Sequence, residues 1–236
     1  MTVPTTPAGA GLAYAAIMLL AIATAVLLKR RGDRALPLSP VQRWGIALGA
    51  FCGAMIGAKL PYVLLDWEGL VSGRAWFDNG KTILFGLVGG YFGVELAKVI
   101  LEVRIKTGDS FAVPVAAAVA VGRLACFVGG CCFGRPTSLP WGVVFHDGIP
   151  RHPTQLYEAA FHASAAAFLA WTERRGLFRL QRIKLYLIAY LVYRFFTEFL
   201  RPEPVVALGL TAYQWGALAL LPVFAWLWRR DARVAQ

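Results

Sequence analysis

Charge is what this sequence has least of. Only 16% of its 236 residues are Asp, Glu, Lys or Arg, against 58% hydrophobic, where a soluble domain would carry about a quarter charged. That shortage excludes an ordinary soluble globular domain, and the mean hydropathy is positive. Acidic residues are scarcer than basic ones, 13 against 24, for a formal charge of +11. Such an excess fits a nucleic-acid binder only when it is gathered in a basic domain. Here the basic residues lie between apolar segments, where they set topology and meet anionic headgroups, so no nucleic-acid partner is expected. A typical cleavable signal peptide is absent too, because Lys29, Arg30 and Arg31 follow the first apolar run rather than precede it. The chain shows no low-complexity segment and no internal repeat, which speaks against a transporter built from inverted repeats.

What is present is a series of apolar runs of about 20 residues, the length that crosses a ~30 Å hydrocarbon core. They predict an all-α, polytopic membrane bundle in a single domain, 1–236. About seven transmembrane helices are expected, near 9–28, 44–65, 82–101, 111–129, 154–172, 183–200 and 208–228. Basic residues crowd the loops after spans one, three and five and the tail: Lys29, Arg30, Arg31, Arg34 and Arg43; Arg104 and Lys106; Arg174, Arg175, Arg179, Arg182 and Lys184; Arg229, Arg230 and Arg233. The opposite side holds only Arg74, Lys81, Arg135, Arg151 and Arg201. The positive-inside rule then puts the C-terminus inside and the N-terminus outside.

A charged side chain at the centre of a membrane helix costs about 2.5–3.5 kcal/mol, so it needs a partner or a wet cavity. Span six carries Tyr190, Arg194, Glu198 and Arg201, at spacings that place them on one helical face. This stripe must point into the bundle. Arg123 on span four reaches the same outer leaflet. Two arginines with one carboxylate leave positive charge for an anionic ligand, because a guanidinium offers a fork of donors to a phosphate and stays protonated. The simpler reading is an internal Arg194–Glu198 pair. Glu95 and Lys98 are spaced to pair with each other, and Gly86, Gly89, Gly90 and Gly93 line one side of span three for close helix packing.

Cys126, Cys131 and Cys132 fall on the outer side in this topology, where disulfides persist. Cys126 is placed to bridge Cys131 or Cys132, with one thiol left over; reactive thiols and inert buried thiols are the alternatives. Metal binding, with His146 and His152 completing a site, is a further alternative, but C-x4-C-C is not a standard zinc spacing, and no metal or cofactor is expected. His152, just before span five, has the unperturbed pKa that suits proton transfer near neutrality, or it holds the corner by hydrogen bonds.

These segments resemble the prolipoprotein diacylglyceryl transferase family. The resemblance rests on Gly89-Gly90-Tyr91-Phe92-Gly93, Gly122-Arg123-Leu124 through Phe133-Gly134-Arg135, Pro150-Arg151-His152-Pro153-Thr154-Gln155-Leu156-Tyr157-Glu158, and Tyr190-Leu191-Val192-Tyr193-Arg194 with Glu198 and Arg201. It implies a multi-pass enzyme of the bacterial inner membrane, active toward the extracytoplasmic side. Such an enzyme moves a diacylglyceryl group from phosphatidylglycerol to the thiol of a lipobox cysteine in a precursor protein. By resemblance, Arg123 matches the arginine associated with binding the phospholipid, Arg194 the second essential arginine and Tyr190 its neighbour. Gly134, Glu198 and Arg201 complete the implied phospholipid-binding set, and His152 joins Arg194 and Tyr190 as a catalytic candidate. Two departures stand out. Val88 occupies the place of the family's usual histidine, and Ala125-Cys126-Phe127-Val128-Gly129-Gly130-Cys131 stands where the family has Gly-Asn-Phe-Ile-Asn-Gly-Glu. The alternative is a diverged relative that binds phospholipid without catalysis or uses its cysteines for thiol redox work.

Overall fold

A computed structural model describes residues 7–33, 36–77 and 80–234; Arg34, one of the residues used for orientation, lies outside them. In chain order the helices are α1 (Pro7–Asp33), α2 (Pro40–Leu65), α3 (Trp67–Ser72), α4 (Ile83–Ile100), α5 (Asp109–Val128), α6 (Thr154–Arg174), α7 (Arg182–Thr197) and α8 (Ala212–Val234). Two short antiparallel hairpins, β1 (Val143–Val144) with β2 (Pro150–Arg151) and β3 (Val205–Ala207) with β4 (Leu210–Thr211), add strand to a chain expected to be helical throughout. Both hairpins turn where backbone is left-handed, at Gly148 (φ 74°) in the first and at Leu208 (φ 50°) and Gly209 (φ 75°) in the second. The stretch 208–211, assigned to the last span from sequence, closes the second hairpin instead.

Among the described residues, four helical segments, Ala10–Asp33, Pro40–Leu64, Ile83–Ile100 and Asp109–Val128, are long and apolar enough to cross a membrane. α6, α7 and α8 lie where the sequence placed spans five to seven. They are less apolar because they carry polar residues, and those residues are buried: Glu158 and His162 on α6, Tyr190 and Arg194 on α7, Gln214 on α8. α7 also ends earlier than expected, tightening into a 3-10 turn at Glu198–Leu200.

The chain divides into two compact units, Met1–Arg34 with Gly108–Gln236, and Ala35–Thr107. In the second, α2 begins with a capping box: the Ser39 side chain accepts from the Gln42 backbone N–H, and the Gln42 side chain accepts from the Ser39 N–H. α2 and α4 then pack backbone to backbone. A Cβ added at Gly53 would lie 2.3 Å from the Gly89 carbonyl oxygen, and one at Gly93 would lie 2.2 Å from that of Gly49. The expected close packing of the span-three glycines is therefore present, and its other half, Gly49, Gly53 and Gly57, went unremarked in the sequence. Lys98 pairs with Glu95 at 3.0 Å, as their spacing predicted. Val88 is buried on α4.

In the first unit α5 packs on both α1 and α6, and α7 packs on α8. Asp109, at the start of α5, accepts from the Arg182 backbone N–H (3.0 Å) and guanidinium (3.1 Å), and Lys184 pairs with Asp231 at 2.6 Å. These pairs fix the helices at the end away from the last turn of α5. Gly53→Val should lower the midpoint of thermal unfolding in detergent, at an overpacking cost of about 1–3 kcal/mol. Gly11→Ala, whose Cβ would meet nothing within 4 Å, should leave the midpoint unchanged.

Candidate active site

The stripe on α7 faces inward as its spacing required. Tyr190, Arg194, Glu198 and Arg201 are 2%, 4%, 0% and 7% exposed, and Arg123 from α5 is 6% exposed. Burial at this level means each charge must be answered locally. Glu158 of α6, 1% exposed, supplies the answer to two of them. Its carboxylate pairs closely with the Arg123 guanidinium through one oxygen, and with Arg194 Nη1 at 3.2 Å through the other. The Tyr190 hydroxyl donates to that second oxygen at 3.1 Å. Arg194 Nη2 meets Glu198 at 2.6 Å, and Thr211 donates to the other Glu198 oxygen at 3.0 Å.

The sequence reading is corrected in its accounting. The internal Arg194–Glu198 pair and the convergence of Arg123 with Arg194 are both present, joined by a second carboxylate that went uncounted. Three buried guanidiniums, counting Arg201, still face two buried carboxylates. Among the described residues, Arg123 Nε and Arg201 Nε are buried without a hydrogen-bond partner. These are unused N–H donors on cationic groups, the chemistry that takes an anion's oxygens.

α6 held a signal that sequence reasoning missed. Gln155, Glu158 and His162 recur at helical spacing and are all fully buried, the same face rule that exposed the α7 stripe. The His162 Nδ1 lies 2.8 Å from the Tyr186 hydroxyl, and its ring centre lies 4.8 Å from that of Tyr190. Its Nε2 is buried with no partner.

Where α5 ends, the chain turns back on itself. The Cys131 N–H donates to the Cys126 carbonyl at 3.1 Å. All four cysteines are free thiols, with Cys131 and Cys132 exposed. Arg123 Nη1 lies 3.8 Å from Cys126 Sγ. Hydrogen bonds from the Cys126 and Cys131 thiols, aided by the Arg123 and Arg201 charges, hold the Cys132 thiol below its ordinary range; the same sharing pushes Cys131 up. The first turn of α6 anchors this segment: Thr154 Oγ1 donates to the Cys132 carbonyl at 2.8 Å, and Gln155 Nε2 to the Cys131 carbonyl at 2.6 Å. Arg201 also donates to the Cys132 carbonyl, and to Thr154 Oγ1 at 3.1 Å.

Gly134 shows why its position is glycine. An added Cβ would come within 2.7 Å of both His152 Cβ and the Leu200 carbonyl oxygen. Its neighbour Arg135 donates through its N–H to Leu200 (2.7 Å) and through Nε to the Arg201 carbonyl (2.8 Å). His152 pairs by backbone with Gly134 and Arg135, and its ring Nδ1 lies 3.3 Å from the Tyr157 hydroxyl. It sits at the corner, in contact with Tyr157 rather than in the network around Glu158.

The family model described as prolipoprotein diacylglyceryl transferase matches residues 11–230, a range that takes in most of both compact units. The chain is similar to the phosphatidylglycerol–prolipoprotein diacylglyceryl transferase of Clostridium tetani, 33% identical over 202 residues covering 81% of each chain. It is also similar to that of Methylococcus capsulatus, 33% identical over 216 residues covering 85% of this chain and 82% of the relative. The protein of that name from Cupriavidus metallidurans is 33% identical over 202 residues, 75% of this chain and 73% of the relative.

The network around Glu158 sets a stability test. Glu158→Ala leaves the buried Arg123 guanidinium without its carboxylate and Arg194 with Glu198 alone, and should destabilise the protein by about 3–5 kcal/mol. Glu158→Gln, which keeps hydrogen-bonding atoms for Tyr190 and Arg194, should destabilise it less. Thermal unfolding of both variants in detergent checks the order.

Proposed function

The chain belongs to the prolipoprotein diacylglyceryl transferase family, and on that footing we propose how its site carries the reaction. The enzyme transfers the diacylglyceryl group of phosphatidylglycerol to a cysteine thiol of a prolipoprotein. It is a multi-pass membrane protein. In our reading about seven helices cross the bacterial inner membrane, with the N-terminus outside, the C-terminus inside and the site toward the extracytoplasmic face. The loop charges support this orientation. The match over 11–230 supports treating the two units as parts of one family domain.

The observation that carries the mechanism is the surplus of buried guanidinium donors around Glu158. The acceptor sulfur, as thiolate, attacks the glycerol carbon that bears the phosphate ester. The carbon–sulfur bond forms as the carbon–oxygen bond breaks, and glycerol phosphate leaves with the bonding pair. Negative charge grows on the leaving phosphate, and fixed cations in a poorly hydrated site stabilise it most in the transition state. Arg123 and Arg201 take the phosphate through their unpaired Nε groups. Arg194, held by Glu158 and Glu198, fixes the geometry of the network, with Tyr190 orienting the shared carboxylate. Gly134 lets the corner close against Leu200. His152, at that corner, takes the acceptor thiol's proton. The acceptor is a lipobox-bearing precursor, presented from the outer face.

Transfer of radiolabelled phosphatidylglycerol to a lipobox peptide tests this reading. Folded Arg123→Ala and Arg194→Ala variants should each lose about 100-fold or more in rate. Wild-type rates in either would contradict the mechanism. An inactive wild type with arginine-dependent lipid binding would favour the non-catalytic alternative. His152→Gln should lose about 100-fold or more if it is the base, and normal transfer by a folded variant would remove it from that role.

A further inference from the structure

Three of the chain's four cysteines converge on one point, and the transfer reaction uses none of them. The sulfurs of Cys126, Cys131 and Cys132 all lie within 4.8 Å of one another. The backbone that brings them together is unusual. Gly130 (φ 62°) and Cys132 (φ 61°) are both left-handed, a conformation that disfavours a residue with a Cβ. A turn needing only that shape would take glycine or asparagine at position 132; a cysteine there places a third sulfur beside the other two. The turn is also held before any ligand arrives, since Thr154, Gln155 and Arg201 occupy the carbonyls of Cys131 and Cys132.

We propose that Cys126, Cys131 and Cys132 form a three-thiolate site for a monovalent thiophilic cation of the Cu+ type. Sulfur count and donor type carry the choice. A disulfide would employ two of three convergent sulfurs and leave the third idle. Three sulfurs bound at about 2.3 Å around one trigonal ion lie about 4.0 Å apart, so the cluster needs a contraction of less than about 1 Å. Among the described residues, no imidazole or carboxylate joins the group. A structural zinc site wants four ligands, whereas three soft sulfur donors suit Cu+. Binding displaces three protons and transfers no electrons, leaving a complex of charge −2. Arg123, 3.8 Å from Cys126 Sγ, and Arg201, bonded to the Cys132 carbonyl, stand beside the cluster to offset that charge. Cys131 and Cys132 are exposed, which gives the ion a way in.

Purified full-length protein, reduced and in detergent, is titrated with Cu+ against the chelator bathocuproine disulfonate. One equivalent per chain should be retained. Cys126→Ser, Cys131→Ser and Cys132→Ser should each weaken retention at least about tenfold, and Cys52→Ser should not change it. In the unsubstituted protein, bound Cu+ should protect three thiols from iodoacetamide, read by intact mass, so the test stands even where a serine variant does not fold. The proposal is overturned if the chelator removes all the copper, or if bound Cu+ leaves the three thiols as reactive as before. It is equally overturned if protein trapped with alkylating agent in native membranes carries a disulfide within the trio.

Discussion

One carboxylate holds two guanidiniums. Glu158 takes Arg123 on one oxygen and Arg194 on the other, and those arginines come from helices far apart in the chain. Each arginine alone would cost about 2.5–3.5 kcal/mol at the centre of a membrane helix. Shared between them, a single buried carboxylate makes both tolerable, and Glu198 completes the neutralisation of Arg194. Arg201 adds a third buried guanidinium, and the carboxylate it pairs with, Glu203, is partly exposed. The buried, unpaired Nε donors of Arg123 and Arg201 are the physical basis for holding an anion.

The surrounding elements follow from that constraint. α5, α6 and α7 must meet closely enough for side chains to bridge them. Gly134 allows the approach at the corner, where an added Cβ would strike His152 and Leu200. Thr154 and Gln155 dock the start of α6 onto the carbonyls of the cysteine turn. Arg201 belongs to both neighbourhoods, with Thr154 and Cys132 on one side and Glu203 at 3.7 Å on the other. The guanidinium network and the thiol cluster are thus joined through Arg201.

Much of the helical frame was legible because apolar length is a strong signal. The inward stripe on α7 was legible because Tyr190, Arg194, Glu198 and Arg201 repeat at helical spacing. Glu158 was read as part of a motif but not as the bridge. Its partners lie 35 residues before it and 36 after, and pairing across helices is set by packing that spacing does not encode. The polar face of α6 was within reach of the same spacing rule and was overlooked because Gln155 and His162 are not charged. The hairpins were missed for another reason: strands of two or three residues offer no periodicity to read, although Asp147-Gly148 is a turn signal. The cysteine convergence needed the left-handed turn at Gly130 and Cys132, which the pattern C-x4-C-C does not reveal.

If Glu158 is the bridge, Arg123 and Glu158 act as one unit in the transfer reaction. A double-mutant cycle on the transfer rate with Arg123→Ala, Glu158→Gln and the double variant measures this most directly. Residues that act through one network give strongly non-additive losses. The double variant should therefore lose little more than the worse single variant. Losses that multiply, each substitution costing the same factor with or without the other, would contradict the shared carboxylate as the organising interaction.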